Sequence, residues 1–392
     1  MISLPSLRLI GADVLADSKL QSRSITISDG RIATGPAHAI DLSGCYILPG
    51  IVDLHGDAFE RQIAPRPSAI FPLQGAIHAV ETEAAANGIT TAWMAQSWSW
   101  EGGLRGPNFT EAFLAALAVA QPALLVDLRV QLRIETHTVD TFERLRAVIQ
   151  AYGIDYAIFN NHLPEARAMA KTNPEKILAW AGKANRTPEE HMAIVTGASA
   201  QQERVPRYLC QLANDFDRLG VTYGSHDDPD AATRDYYNSI GARVCEFPTG
   251  TSAAHVAKVN GNPILMGAPN VVRGGSQSGN IAATHLIEDG LCDILVSDYH
   301  YPSLAQAAFT LADAGLCDLA TAWGMISTAP AAAMNLDDRG TIEQGKRADL
   351  VIIDKKTRRI GATLCNGRVA YLSGEIGTRF VTGMNAIPLA AE

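Results

Sequence analysis

The sequence predicts an α/β protein: a (β/α)8 TIM-like barrel with a small β-sandwich domain formed by the N- and C-terminal segments. In the middle of the chain, eight short apolar runs alternate with helix-like stretches. Both ends contain short alternating runs with hairpin signals, Asp29-Gly30 and Asn366-Gly367. A length of 392 residues suits one large domain and one smaller one. We expect the small domain at residues 1–49 plus 338–392 and the barrel at residues 50–337.

The predicted barrel rests on the order and character of its segments. Near-continuously apolar strands that alternate with helices form a parallel sheet, and eight such units close into a barrel. The helix-like segments carry apolar residues at helical spacing and often end at glycine, as helix C-caps do. The candidate strands are GIVDLH, GITTAWMAQS, LRVQLRIETH, DYAIFNNH, VTYGSHDD, ARVCEFPT, PILMGAPN and CDILVSDY.

One stretch of the barrel region is too long for a single crossover between strands. Residues near 163–220 contain helix-like segments that are interrupted at Pro174, Pro188 and Pro206. We therefore expect a helical insertion here, and it could form a lid over the site or a contact between subunits.

Charge and cysteine content narrow the class of protein. The net charge of −9 argues against a protein that coats nucleic acid or a membrane surface, although a local cationic pocket remains compatible with it. The six cysteines form no CxxC pair, so neither a zinc knuckle nor a disulfide framework is indicated. No apolar run reaches the length of a membrane span, and no signal peptide is expected. Unpaired cysteines favour the reducing cytoplasm. A homodimer is expected, since enzymes of this size often form symmetric dimers.

Polar side chains collect where the predicted barrel strands end, which is the catalytic face of such barrels. Imidazoles and carboxylates that converge from separate strands are suitable ligands for divalent metal ions. A lone histidine or carboxylate at such a position is more often structural, but six at consecutive strand ends favour a metal site. The predicted ligands of one or two ions, with zinc expected before iron or manganese, are His55, Asp57, Glu135, His162, His226 and Asp298.

Two residues of this region have further interpretations. Asp298, beside the proposed metal-activated water, is the candidate catalytic base. His137 follows Glu135 by two residues and is a reserve ligand that could replace Glu135 or His162.

A glycine-rich block, Arg273-Gly274-Gly275-Ser276-Gln277-Ser278-Gly279-Asn280, follows the seventh predicted strand. Its backbone N–H groups, hydroxyls and guanidinium suit an anion at a helix N-terminus, whereas a plain βα turn is the structural alternative. Arginines beyond the first strand add positive charge, unless they are paired at the surface. The predicted substrate-binding residues are Arg61, Arg66, Asn270, Arg273, Gly274, Gly275, Ser276, Ser278 and Asn280.

Two segments carry a family resemblance that spans nearly the whole chain. Leu48-Pro49-Gly50-Ile51-Val52-Asp53-Leu54-His55 and Gly345-Lys346-Arg347-Ala348-Asp349-Leu350-Val351 resemble the amidohydrolase superfamily. The resemblance implies a metal-dependent hydrolase whose first motif leads into the metal ligands. The usual His-x-His is replaced here by His55-x-Asp57, which leaves the number of metal ions open.

A narrower resemblance lies in five segments. His55 to Pro67, Ser225 to Pro229, Glu246 to Thr249, Met266 to Asn280 and Ser297 to Tyr299 are similar to hydrolases of alkylphosphonate utilisation. These enzymes cleave ribose 1-methylphosphonate 5-triphosphate in the carbon-phosphorus lyase pathway and release pyrophosphate. The resemblance implies an anionic phosphorylated small molecule as substrate.

Two other functions remain open at the level of sequence. The same fold and metal site could hydrolyse a C–N bond, as in a deacetylase or a cyclic amidase. A non-catalytic scaffold on an amidohydrolase-like barrel is a further alternative, although all six candidate metal-site residues are present.

Overall fold

The structure is a computed structural model that describes residues 6–66, 69–276 and 279–385. Its strands form three sheets. The N-terminal strands are β1 (Leu7–Ile10), β2 (Asp13–Ala16), β3 (Lys19–Ser22), β4 (Ile25–Ser28), β5 (Arg31–Ala33), β6 (His38–Asp41) and β7 (Cys45–Pro49). The central strands are β8 (Ile51–Gly56), β9 (Ile89–Trp98), β10 (Asp127–Glu135), β11 (Tyr156–Asn160), β12 (Thr222–His226), β13 (Val244–Glu246), β14 (Ile264–Gly267) and β15 (Ile294–Val296). The C-terminal strands are β16 (Leu350–Asp354), β17 (Ile360–Cys365) and β18 (Arg368–Leu372).

The central strands form the predicted barrel. They pair in parallel and in sequence order from β8 to β15. The barrel closes through a parallel bridge between Gly56 and Asp298. Beside this bridge the buried Asp53 carboxylate accepts hydrogen bonds from Ser297 N at 2.9 Å and Ser297 Oγ at 2.6 Å. Every residue of β8 and β9 is buried, as expected for strands that are covered on both faces.

The two smaller sheets form a β-sandwich from both ends of the chain, as predicted. Their strand orders are β5-β4-β1-β6 and β18-β17-β16-β7-β2-β3. One apolar core joins them, and it contains Leu9, Ile27, Ile47 and Ile352. Both predicted hairpin turns are present, since Asp29, Gly30, Asn366 and Gly367 all have positive φ, between 49° and 77°.

The α-helices cover the barrel, extend one of its connections and, at the C-terminal end, pack on the small domain. They are α1 (Glu60–Ile63), α2 (Leu73–Ala86), α3 (Pro107–Ala120), α4 (Phe142–Tyr152), α5 (Leu163–Thr172), α6 (Pro174–Lys183), α7 (Pro188–Ser199), α8 (Val205–Leu219), α9 (Ala231–Ser239), α10 (Thr251–Val259), α11 (Ala268–Arg273), α12 (Ala283–Glu288), α13 (Ser303–Asp313), α14 (Leu319–Gly324), α15 (Thr328–Ala333) and α16 (Gly374–Asn385). Among the described residues, no helix is both long and apolar enough to cross a membrane.

Two helical regions refine the expectation from sequence. Helices α5, α6 and α7 pack on one another, whereas α8 contacts α4 and β12 as an ordinary barrel helix does. Helix α16 was not anticipated in the C-terminal β region. Its Phe380 is fully buried in the sandwich core, so this helix is a part of the small domain.

Candidate metal and phosphate site

The candidate site lies at the carboxyl ends of the barrel strands. Three residues just after β12, β13 and β15 adopt a left-handed backbone: Asp227 at φ 58°, Phe247 at φ 52° and, two residues after β15, Asp298 at φ 54°. Each is held by a hydrogen bond from its N–H to a neighbouring strand, with Asp298 N donating to His55 O at 2.9 Å. Such backbone strain in non-glycine residues persists where the surroundings determine the conformation, and it concentrates at functional sites.

A first group of donor atoms joins β8 to β15. One ligand atom each of His55, Asp57 and Asp298 lies within 4.8 Å of the others. Burial, together with the nearby Asp57 carboxylate, raises the pKa of Asp298 to about 6. An imidazole and two carboxylates are a donor set that zinc, iron and manganese accept, so these residues fit a divalent ion.

Glu246, the last residue of β13, links two of the predicted histidine ligands. Its fully buried carboxylate lies 2.8 Å from His226 Nδ1 and 3.1 Å from His55 Nδ1, and it accepts a hydrogen bond from Gln131 Nε2 at 2.8 Å. Burial alone would raise the pKa of Glu246, but the two imidazoles hold it well below its usual range. Carboxylate contacts of this kind fix the tautomer and the orientation of a histidine ring. Glu246 was not predicted as a site residue, although its place at a strand end is the signal that selected the other residues.

A second group of donor atoms combines Glu135 and His162 with Glu101, which was also missed. His162 Nδ1 lies 2.6 Å from Glu135 Oε1 and 3.4 Å from Glu101 Oε1. Burial opposes the charged imidazole, yet the two carboxylates raise the pKa of His162 to about 10. Glu101 lies in the loop after β9, where no strand-end pattern marks it. These three residues also offer one ligand atom each within 4.8 Å, so they are a second candidate set for a divalent ion.

The insertion helices contact this second group directly. Trp180 of α6 donates its indole N–H to Glu101 Oε2 at 2.7 Å, and Trp100 donates to Glu135 Oε2 at 3.1 Å. Both tryptophans pack against the buried His191 of α7. The insertion therefore contacts the candidate ligand Glu101 directly, through Trp180.

The structure thus divides the six predicted ligands. His55, Asp57 and Asp298 form one group, and Glu135 and His162 belong to the other. His226 forms a donor group with His55 and Glu246, while its Nε2 lies 3.2 Å from Arg133 Nη2. The reserve candidate His137 belongs to none of the groups, because its ring nitrogens contact Thr136 Oγ1 and Gln202 Oε1, each at 2.9 Å.

A cavity of about 240 Å³ opens beside these groups. Its wall contains members of both groups. It also contains two arginines that were not predicted as site residues, Arg105 and Arg133. Arg105 pairs with Glu101 at 3.1 Å and with Glu60 at 3.8 Å. The lining residues are His55, Asp57, Arg105, Arg133, His162, His226, Asp227, Phe247, Pro248, Met266, Pro269, Asn270, Ser276, Asn280, Ile281, Asp298 and Tyr299.

The predicted substrate-binding residues divide between the cavity and its surroundings. Asn270, Ser276 and Asn280 line the cavity. The exposed Arg61 donates to Tyr299 O at 2.9 Å and contacts Glu83, and Arg66 is exposed. Neither arginine is a lining residue. Ser278 lies outside the described residues.

The glycine-rich block differs from the expected phosphate cradle. It begins as the C-terminal end of α11, and Gly274 at φ 76° caps that helix. The N–H groups of Gly274 and Gly275 donate to Val271 O at 3.3 Å and Asn270 O at 2.9 Å, so they are not directed at a ligand. Arg273, at the same helix end, contacts Tyr299 Oη at 3.2 Å and is not a cavity residue. A helix C-terminus carries partial negative charge, which makes this end unfavourable for an anion.

Known proteins are similar to this chain in sequence and in fold. A model described as "Amidohydrolase family" matches residues 274–371. The chain is 32% identical over 367 residues to alpha-D-ribose 1-methylphosphonate 5-triphosphate diphosphatase of Escherichia coli (strain K12), which covers 88% of this chain and 95% of that protein.

Solved structures of other specificities have a similar fold at low identity. N-acyl-D-glutamate deacylase from Bordetella bronchiseptica, complexed with zinc and a phosphonate inhibitor, is 14% identical with a TM-score of 0.58, over 94% of this chain and 97% of that one. N-acetylglucosamine-6-phosphate deacetylase from Pasteurella multocida is 11% identical with a TM-score of 0.62, over 94% of this chain and all of that one. The family match and the 32% identity to the Escherichia coli enzyme over nearly the full length of both chains show that this chain belongs to the amidohydrolase superfamily.

Proposed function

We propose that this protein is a metal-dependent diphosphatase that hydrolyses the triphosphate of a ribose 1-alkylphosphonate 5-triphosphate and releases pyrophosphate. The observation that carries the proposal is the near full-length similarity to a diphosphatase of that substrate class. The geometry supports it, because one cavity brings together a metal-donor group, His55, Asp57 and Asp298, and the cationic side chains Arg105 and Arg133.

The chemistry of the proposed reaction divides between a metal and the side chains of this chain. A divalent ion, expected to be zinc, would be held by the donor groups around His55 and Glu135 and would supply Lewis-acid polarisation of water and of a phosphoryl oxygen. Asp298 orients the attacking water and accepts its proton at a carboxylate oxygen. The water oxygen forms a bond to phosphorus, and the P–O bond to the leaving pyrophosphate breaks. The arginines stabilise the charge on the phosphoryl oxygens.

The cationic residues of the cavity favour this reaction over hydrolysis of a neutral amide. A triphosphate requires several positive charges or N–H donors around its oxygens, whereas an amide carbonyl requires few. The proposal further includes an anionic phosphorylated small molecule as substrate, a homodimeric assembly and a cytoplasmic location.

A substrate comparison tests the proposed function. Zinc-loaded protein is assayed for pyrophosphate release from ribose 1-methylphosphonate 5-triphosphate and from ATP, and for hydrolysis of an N-acetylated amino sugar. We expect pyrophosphate from the ribose triphosphate with a kcat/KM at least tenfold above that for ATP. Efficient hydrolysis of the amide without any pyrophosphate release would contradict the proposal and would favour a C–N hydrolase.

A further inference from the structure

Arg133 is a buried arginine in the wall of the cavity. It lies on β10 between Gln131 and Glu135, and alternate residues of a strand share one face, which here is the barrel interior. Only 7% of its surface is exposed. Its side chain reaches the cavity among His55, Asp298 and other lining residues.

The guanidinium of Arg133 differs from those of other buried arginines in its lack of a carboxylate partner. Among the described residues, no aspartate or glutamate oxygen lies within 4.0 Å of its nitrogens. Its Nη2 lies 3.2 Å from His226 Nε2, and its buried Nε has no hydrogen-bond partner in the described structure. By contrast, the equally buried Arg234 and Arg339 form ion pairs with Asp228 and Asp127.

A buried cation without a carboxylate in contact is unfavourable, because its lost hydration is not replaced by an ion pair. A buried donor without a partner requires an explanation, and a ligand that supplies the missing partner during function is one. We propose that Arg133 is the side chain that binds a phosphoryl oxygen of the substrate inside the cavity. This proposal rests on the proposed function, and it assigns the phosphate contact to β10 rather than to the glycine-rich block.

The geometry also limits which part of the substrate Arg133 binds. The cavity, at about 240 Å³, is smaller than pockets that enclose a whole drug-sized ligand, which are about 300–1,000 Å³. A cavity of this size accommodates a part of the substrate, and the proposal places phosphoryl groups there. The planar guanidinium suits this role, because its N–H groups match two phosphoryl oxygens at once.

Pyrophosphate binding to the zinc-loaded, full-length protein tests the assignment, with the zinc content measured before and after. Arg133→Met removes the charge but keeps a long, unbranched side chain. Arg133→Lys keeps the charge without the planar guanidinium and its paired N–H donors. The matched control is Arg129→Met on the same strand, since Arg129 is paired with Asp127 and Asp155 and lies at the other end of β10. We expect Arg133→Met to weaken pyrophosphate binding at least tenfold, Arg133→Lys to be intermediate, and Arg129→Met to remain within twofold of the parent.

Thermal unfolding of the metal-free proteins separates a binding role from a structural one. Because Arg133 has no carboxylate in ion-pair contact among the described residues, Arg133→Met should unfold at the same temperature as the parent or higher. Arg129→Met removes the ion pairs with Asp127 and Asp155, of which only Asp127 keeps another arginine, Arg339, and it should unfold at a lower temperature. Unchanged pyrophosphate affinity in Arg133→Met, or destabilisation equal to that of Arg129→Met, would overturn the assignment.

The assignment and the proposed function can fail separately. If the parent releases no pyrophosphate from the ribose triphosphate but binds pyrophosphate through Arg133, the assignment stands and the proposed function is wrong. If Arg133→Met hydrolyses the ribose triphosphate with the kcat/KM of the parent, the assignment is wrong and the proposed function stands. A parent protein that does not bind pyrophosphate also overturns the assignment.

Discussion

At the scale of single residues, Asp298 combines several unusual properties. Its backbone is left-handed, its N–H and its carbonyl both bond to the β8 segment, and its carboxylate is close to His55 and Asp57. Burial and the Asp57 charge raise its pKa to about 6. A carboxylate at this position can accept the proton of a water molecule that is bound at the site.

We therefore predict that Asp298→Asn lowers kcat about 10²- to 10⁴-fold while zinc content falls little, because an amide cannot take up the proton of water. The measurement is steady-state pyrophosphate release together with metal analysis of the same sample. A kcat within a few-fold of the parent would exclude Asp298 as the base.

A second residue-scale prediction concerns His162 in the metal-free protein. Its pKa is raised from 6.5 to about 10, against the effect of burial, by the carboxylates of Glu135 and Glu101. The folded state therefore binds the proton more tightly than the unfolded state does. This contribution to the free energy of unfolding is complete below about pH 6.5 and is lost as the pH rises towards about 10.

We expect urea unfolding of the metal-free protein to show this decline between pH 7 and 10. The variant His162→Gln should show a flatter profile, since it has no proton to lose in that range. Parallel pH profiles for the two proteins would show that His162 does not contribute to the pH dependence of the free energy of unfolding.

The limits of sequence reasoning are visible in these residues. The proximity of His55, Asp57 and Asp298 could be predicted because strand ends of a barrel converge on one face. Glu101 and Arg133 could not, since one lies in a loop and the other is an arginine inside a strand whose burial depends on tertiary packing. The surface arginines Arg61 and Arg66 were selected by proximity in sequence, which does not indicate where a long side chain points.

At the scale of elements, the closure of the barrel between β8 and β15 positions the first donor group. Gly56 lies between His55 and Asp57 and forms the closing bridge. A Cβ at this glycine would lie 2.8 Å from Ser297 Oγ and 2.9 Å from Asp53 Oδ2. The close approach of the two strands therefore depends on the absence of a side chain.

Gly56→Ala should consequently destabilise the protein by about 1–3 kcal/mol through overpacking and should also reduce zinc content, because both adjacent ligands would move. Gly75→Ala is the control, since Gly75 lies in α2 with no atom within 4 Å of the added Cβ. Gly75→Ala should raise the free energy of unfolding by about 0.5–1 kcal/mol. Equal unfolding free energies and zinc contents for the two variants would contradict this view of the closure.

Elements differed in how far the sequence determined them. The eight barrel strands and both hairpins follow from hydrophobic runs and turn residues, which are local signals. The glycine-rich block was expected to open a helix, but it first ends the short helix α11, because the single residue Gly274 favours a left-handed cap. Helix α16 depends on burial of Phe380 against a sandwich that is assembled from distant segments.

At the scale of the whole molecule, Arg339 connects the segment before the C-terminal strands to the barrel. The side chain is only 6% exposed, and it donates to Asp127 at 2.7 Å and to Thr91 Oγ1 at 2.8 Å. It also pairs with Asp338 at 2.8 Å. Without Arg339, Asp338 would lose this ion pair and Asp127 would keep only its pair with Arg129.

Arg339→Ala should therefore lower the free energy of unfolding by about 2–4 kcal/mol, less than for a fully buried pair because Asp127 is partly exposed. The control is Arg204→Ala, which breaks an exposed pair with Asp140 and should change stability by less than about 1 kcal/mol. Urea unfolding of both variants measures the difference. Similar losses in the two variants would show that Arg339 does not stabilise this connection.

The central claim is that the cavity at the carboxyl ends of the barrel strands hydrolyses a phosphoric anhydride with the help of a divalent metal. The most direct test follows ribose 1-methylphosphonate 5-triphosphate by ³¹P NMR in the presence of zinc-loaded protein, metal-stripped protein and zinc-loaded Asp298→Asn. We predict that pyrophosphate and a 5-phosphate monoester appear together in equal amounts with the zinc-loaded parent alone. An intact triphosphate in that sample, or equal turnover in all three samples, would contradict the claim.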